Sequence, residues 1–412
     1  MHYLRITPRI AACCTLVILL AGCAGQGADP PPQIEVLLTD DPTCSGSITA
    51  EPPADLAHTP TPNNKLVGCF AWQTLMALNF PADGGEQPVG HGGEGPTVWE
   101  SWLSADQVFP HPEAHACDEA TEHFPGAPEV LSMVTGLSDE LEMSILDQAA
   151  TEPGPDEASV DRADVSCLDY VLLDRQTKPV WREVALDPTM ASFIEQRGLD
   201  QQEHVFALDA DTFEFPVGST SVKAAWKVFN PELDSPDEFY VRDVLVDNGE
   251  TCVPRRVALV ALHLAKKTPN FRGWIWMTFE QRSNAPERGR PSELEEPWTF
   301  FEPGSEGEPN VPCLEGLVCG PTQLIRLQQV DKRTHAVNDY WWQQLGDESV
   351  WRHYALVGTQ WLQFRSQQRP HGREKLANVI LESACQTLSN GCVHCHSGQS
   401  TFDRSFVLAR AH

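Results

Sequence analysis

"SVKAAWKVF", residues 221–229, is the stretch that decides the fold. Val222, Ala224, Trp226 and Val228 share one face of an extended chain, while Lys223 and Lys227 take the other. This period of two is the mark of a half-buried antiparallel strand. Working outward, PVWREVAL (179–186), EFYVRDVLV (238–246), RVALVALHLA (256–265), GWIWMTFE (273–280) and HYALVGTQWL (353–362) read the same way or as more deeply buried strands. An antiparallel sheet is therefore expected.

Helical spacing appears on both sides of this strand-rich region. In KLVGCFAWQTLMALNF (65–80), Cys69, Trp72, Met76 and Phe80 recur at helical intervals behind Asn63 and Asn64 as caps. THAVNDYWWQQL (334–345) reads as a helix closed by Gly346. EKLANVILESACQTLS (374–389) reads as another, with Leu376, Ile380, Ala384 and Leu388 four apart and Gly391 just beyond. The expected class is α+β, a central antiparallel sheet flanked by helices and ending in a C-terminal helix with a motif-bearing segment.

The first residues have a different character. Arg5 and Arg9 precede an apolar run from Ile10 to Leu20, and Leu19-Leu20-Ala21-Gly22-Cys23 has the form of a lipobox. Residues 1–22 are expected to be a lipoprotein signal peptide and Cys23 the site of lipid attachment. Residues 23–64, rich in Pro, Asp and Thr, are expected to tether a single domain over 65–412. This predicts a bacterial cell-envelope protein held by lipid, in the outer membrane, facing the periplasm or the exterior.

Removing residues 1–22 takes two arginines and no acids, so 29 basic residues become 27 against 58 acidic ones, a net charge of −31. Such a surface repels nucleic acid; it either steers a basic partner or simply keeps the protein soluble. Of thirteen cysteines, Cys13 and Cys14 leave with the signal and Cys23 takes lipid. Setting aside Cys392 and Cys395 leaves eight, an even number that suits disulfides in an exported protein. Cys313 and Cys319 are the easiest pair to propose because they bracket a short loop.

Near the end stands Cys392-Val393-His394-Cys395-His396. The spacing C-x-x-C-H supplies two thiols for the two vinyl groups of a haem and an imidazole for its iron, so one covalent haem c on Cys392 and Cys395 with His396 as axial ligand is expected. Zinc is the rival, since two cysteines and a histidine supply three ligands, but a fourth would have to come from a distance. Only sixteen residues follow His396 and no methionine follows Met277. A haem here must lean on the preceding sheet and helices.

FAWQTLMALNFP (70–81), VWESW (98–102), VKAAWKV (222–228), ALHLAKKTPNFRGWIWMTFE (261–280), YALVGTQWL (354–362) and LANVILES (376–383) leading into CVHCH carry a resemblance. The chain resembles a poorly characterised family of exported bacterial c-type cytochrome-like proteins with a single C-terminal CxxCH. The resemblance implies haem and electron transfer with a redox partner protein. Similar proteins have a His after TFE and a Thr-Thr-Met run before the last helix, where this chain has Gln281 and Val379-Ile380-Leu381.

Three functions follow for testing: a tethered electron carrier, a haem enzyme or gas or redox sensor with an open iron position, and a structural zinc-binding lipoprotein. For the sixth iron position the candidates are His263, in an apolar strand and favoured by its place in the family-like segment just before GWIWMTFE, and then His335, His353, His371 and Met277. No G-x-S-x-G elbow, P-loop or dinucleotide fingerprint stands out.

Overall fold

Asn63 caps helix α1 (Asn64–Leu78) by accepting a hydrogen bond from the Leu66 amide at 3.0 Å. The computed structural model describes residues 44, 48–56, 62–84, 95–110, 130–132, 170–247, 252–289, 298–305, 307–311, 313–314, 319–364, 366–367, 369–373, 375–386, 391–396 and 402–412. The signal segment, Cys23 with its lipobox, much of the 23–64 tether and the acidic stretch 137–165 lie outside the described residues.

In chain order the further elements are β1 (Leu103–Ser104), α2 (Ala105–Val108), β2 (Val130–Ser132), β3 (Tyr170–Val171), β4 (Trp181–Leu186), α3 (Pro188–Arg197) and α4 (Gln202–Phe206). They continue with β5 (Thr220–Val228), β6 (Val241–Asp247), β7 (Cys252–Lys266), β8 (Ile275–Gln281), β9 (Cys313–Leu314), α5 (Lys332–Leu345), β10 (Tyr354–Trp361), β11 (His371–Gly372) and α6 (Cys392–Cys395). Strands β1-β4-β5-β7-β8-β10-β11 form one antiparallel sheet, with β6 also paired to β7 and β2 added to β6 in parallel. The fold is α+β, as the period-two pattern predicts.

One face of this sheet is dry. Val222, Ala224 and Trp226 of β5 pack there with Leu262 and Leu264 of β7, Met277 and Phe279 of β8, and the buried side of α1. Trp72 lies stacked 6.1 Å from Trp341 and edge-on to Phe279 at 5.2 Å, and its indole N–H donates to Asn338 Oδ1 at 2.9 Å. Asn338 in turn exchanges hydrogen bonds with the Leu356 backbone, so α1, α5 and β10 are pinned through one buried amide.

Two bulges break the alternation. Opposite Ala225 and Trp226 of β5 stand Ala261 and Leu259 of β7, leaving Val260 as the extra residue. Its carbonyl accepts from Asn284 Nδ2 at 2.7 Å. Val357 is the extra residue where β10 pairs with β8. Each bulge shifts the residues beyond it to the opposite face.

The packed region begins inside the Pro-rich stretch. Cys44 is disulfide-bonded to Cys69 of α1, Leu56 is buried, and Asp55 accepts from the Asn270 amide at 3.1 Å. Cys252 and Cys319 are each in a disulfide as well.

Of the helix expected over 374–389, the described residues 375–386 are not α-helical. Residues 376–386 run as extended chain and turns with a single 3-10 turn at Ser383–Cys385, and the helical part of the C-terminal segment is α6. Local side-chain bonds replace the helical ladder. Asn378 Oδ1 takes the Ile380 and Leu381 amides, Glu382 takes the Asn378 amide, and Glu280 takes the Val379 amide. Val379, Ile380 and Leu381 fill the core on the second face of the sheet.

Candidate functional site

The second face of the sheet carries polar residues among its apolar ones. Lys223 of β5 pairs with His263 of β7, which pairs with Thr278 of β8; one step along, Ala265 pairs with Trp276, which pairs with Gln360 of β10. The bulge at Val260 is what turns His263 to this face, away from the α1 core.

Above this floor sits α6. Gly391 starts it with φ of 80°, and the Val393 amide donates to Gln360 Oε1 at 3.2 Å. Val393 is buried against Trp274, Trp276 and Leu362. This leaves Cys392 half-buried and Cys395 exposed, neither in a disulfide, with His394 exposed between them. His396 follows at the C-terminal end. Its ring lies 5.9 Å from Trp276 and 5.0 Å from Phe406, and Nδ1 is bonded to the Arg404 carbonyl at 2.8 Å. A carbonyl only accepts, so this bond holds the proton on Nδ1 and leaves the lone pair on Nε2.

The electrostatics fit neutral groups. Burial pushes the Cys392 thiol well above its ordinary range, with Glu382 adding to it. It is a protonated thiol at neutral pH, unlike the low-pKa thiolates of thiol–disulfide catalysts. Burial pulls the His396 imidazole down to about 4 against the pull of the Arg404 carbonyl, with Lys223 and His263 adding to the depression. It is neutral at pH 7, the form that ligates a metal.

Glu382 is the site residue that the sequence did not single out. The Asn378 turn delivers it to the sheet, where Oε1 stands 3.3 Å from His263 Nε2. Burial works against its charge, but His263, the Asn378 amide and Lys223 together outweigh it and hold the carboxyl below the usual carboxylate range. An acidic residue inside an apparent helix stripe gave no signal, because the helix was itself misread.

Of the sequence candidates, Cys392, Cys395, His396 and His263 come together here. Met277 is buried in the α1 core on the opposite face, and His335 is exposed on α5. His353 lies in the 3-10 turn before β10, and His371 stacks on Trp361 at 6.0 Å. Gln281 is buried, its amide held by the Glu238 carbonyl and by Ser283.

Two thiols one helical turn apart and an oriented imidazole fit covalent attachment of a haem. Among the described residues no group of three His, Cys, Asp or Glu side chains is arranged to hold a metal ion, so the zinc reading finds no ligand set there. In comparisons with known proteins, no family model matches this chain, and neither a curated protein nor a solved structure does.

Proposed function

We propose that this chain is a membrane-tethered monohaem c-type cytochrome-like protein that transfers electrons in the bacterial cell envelope. The observation that carries the reading is the Cys392–His396 turn: two reduced thiols beside a histidine whose Nδ1 is committed to a carbonyl. Cys392 and Cys395 would hold the haem and His396 Nε2 its iron. A haem bound there supplies one-electron exchange. The chain's own part is to keep His396 neutral and oriented, to shield one side with Trp276 and Phe406, and to set Glu382 close to the thiols. The disulfides at Cys44, Cys69, Cys252 and Cys319 support an exported, oxidising setting. The stretches from FAWQTLMALNFP to LANVILES support the cytochrome-like resemblance, and the acidic net charge supports a basic redox partner.

Protein made in a host with c-type haem maturation should show haem staining on denaturing gels that survives acid-acetone extraction. The Cys392→Ala, Cys395→Ala double variant should lose it completely. Zinc in the purified protein with no haem stain would sink the reading.

The tether is a separate part of the proposal, resting on Leu19 to Cys23. Two or more acyl chains anchor stably where one does not. Cys23→Ser should move the protein from the membrane to the soluble fraction or stop its processing. A wild-type protein found wholly in the soluble periplasm overturns it.

One observation favours the second reading, an enzyme or gas or redox sensor. His263 is held by Glu382 at 3.3 Å through Nε2, which makes the two a proton-holding pair on the site's floor, and a sixth ligand only if that pair parts. Carbon monoxide binding to the reduced protein, unchanged in His263→Ala, would give this reading precedence. A low-spin spectrum lost in His263→Ala would assign His263 as the sixth ligand.

A further inference from the structure

The Arg404 carbonyl that orients His396 belongs to an unusual turn. Phe402 and Ser405 exchange backbone hydrogen bonds at 3.2 and 3.0 Å, and the two residues between them, Asp403 and Arg404, both have positive φ, 50° and 61°. This is the pattern of a type I′ turn, where Asn, Asp and Gly are the ordinary occupants and arginine is not. Trp274, packed under the turn, also has positive φ at 78°, which is a sterically costly conformation for a bulky side chain. Strain of this kind persists only where the surroundings over-determine it.

Here the surroundings are a clamp on Asp403. Its Oδ2 accepts from Lys267 Nζ at 2.5 Å and from the Phe215 amide at 2.9 Å, while its carbonyl accepts from the Trp274 indole at 2.7 Å. The Lys267 and Asp403 side chains are wholly inaccessible to solvent. Lys267 also reaches Glu214 Oε1 at 3.2 Å, and its ammonium lies 5.5 Å from the Trp274 ring. Arg404 fixes the other side by donating to the Gln367 carbonyl at 2.8 Å. A sheet packed only by its apolar residues has no use for a buried ammonium at this position, because an ion pair is no more stabilising than an apolar replacement. What the pair adds is a fixed direction for one backbone carbonyl.

We propose that Lys267 is a positioning residue for His396, acting through Asp403 and the carbonyl of Arg404. The inference rests on His396 being the imidazole that the site presents, but its test needs no haem. The full chain, exported with its disulfides and labelled with nitrogen-15 histidine in a host lacking haem attachment, reports the tautomer of each imidazole by NMR; His396→Gln identifies the signal.

In the wild type the Nδ1–H form of His396 should dominate by about tenfold, the worth of one well-made hydrogen bond. Lys267→Met should bring the two tautomers close to parity, and Lys267→Arg, which keeps the charge, should restore the bias. Asp403→Asn keeps the tolerance for positive φ and serves if Lys267→Met does not fold; it too should weaken the bias several-fold. A wild-type tautomer ratio in Lys267→Met, or in Asp403→Asn where that is the variant that folds, overturns the proposal and leaves Lys267 a stabilising residue only. Loss of haem staining in the Cys392 and Cys395 variant would be unaffected either way, so the two readings fail separately.

Discussion

Arg326→Met should lower the unfolding free energy by about 3–5 kcal/mol, because it leaves a buried carboxylate without its cation. Glu280 and Arg326 are both buried and ion-paired, and Glu280 also accepts from the Val379 amide at 2.7 Å. Burial, with Glu382 adding to it, leaves the Glu280 carboxyl above its ordinary range, and Arg326 is the main force drawing it back. Through Val379, Glu280 also joins β8 to the turn that carries Glu382 towards the site. Urea unfolding followed by tryptophan fluorescence measures the loss. Adding Glu280→Gln should recover much of it, since the amide carries no charge to bury and still accepts from Val379. A loss under about 1 kcal/mol in the single variant would mean that the pair behaves like a surface ion pair.

Gly391→Ala should cost about 2–4 kcal/mol and, if the proposed haem attachment holds, sharply reduce haem yield. Gly391 has φ 80° and ψ −157°, a region that is essentially closed to other residues. A Cβ there would fall 2.4 Å from Gln360 Nε2 and 2.8 Å from Cδ and Oε1. Gln360 has little room to yield. It is fully buried, accepts from Val393 and donates to the Arg373 carbonyl at 2.6 Å. Adding Gln360→Ala should relieve the clash and leave the backbone strain, recovering only part of the stability. Wild-type stability and haem yield in the single variant would show that α6 starts without the glycine.

The parts of the fold legible in the sequence are those where side-chain period and backbone agree. SVKAAWKVF alternates because β5 lies between strands with one dry face, and Asn63 and Gly346 mark helix ends because their chemistry suits those ends whatever surrounds them. LANVILES failed for the opposite reason. Its four-residue spacing is real, but Asn378 Oδ1 takes the Ile380 and Leu381 amides as a cap or Asx turn does, so no helix runs through this position, and Glu280 and Glu382 take the Val379 and Asn378 amides. The candidate site was legible in Cys392, Cys395 and His396 because these three residues stand within five positions of one another in the chain. Glu382, Lys267 and Asp403 were not, since each acts through a contact between distant parts of the chain.

The bulge at Val260 makes the site depend on a count as well as on chemistry. Strict alternation from Val257 and Leu259 would send His263 into the α1 core, and one supernumerary residue sends it to the side where Glu382 and α6 lie. Every substitution in this strand leaves that count intact, whereas deleting a single residue between Leu259 and Leu262 changes the side of the sheet for everything on one flank. Variation by point mutation can therefore retune His263 and its neighbours freely, while a one-codon deletion would remove the histidine from the site without altering its identity.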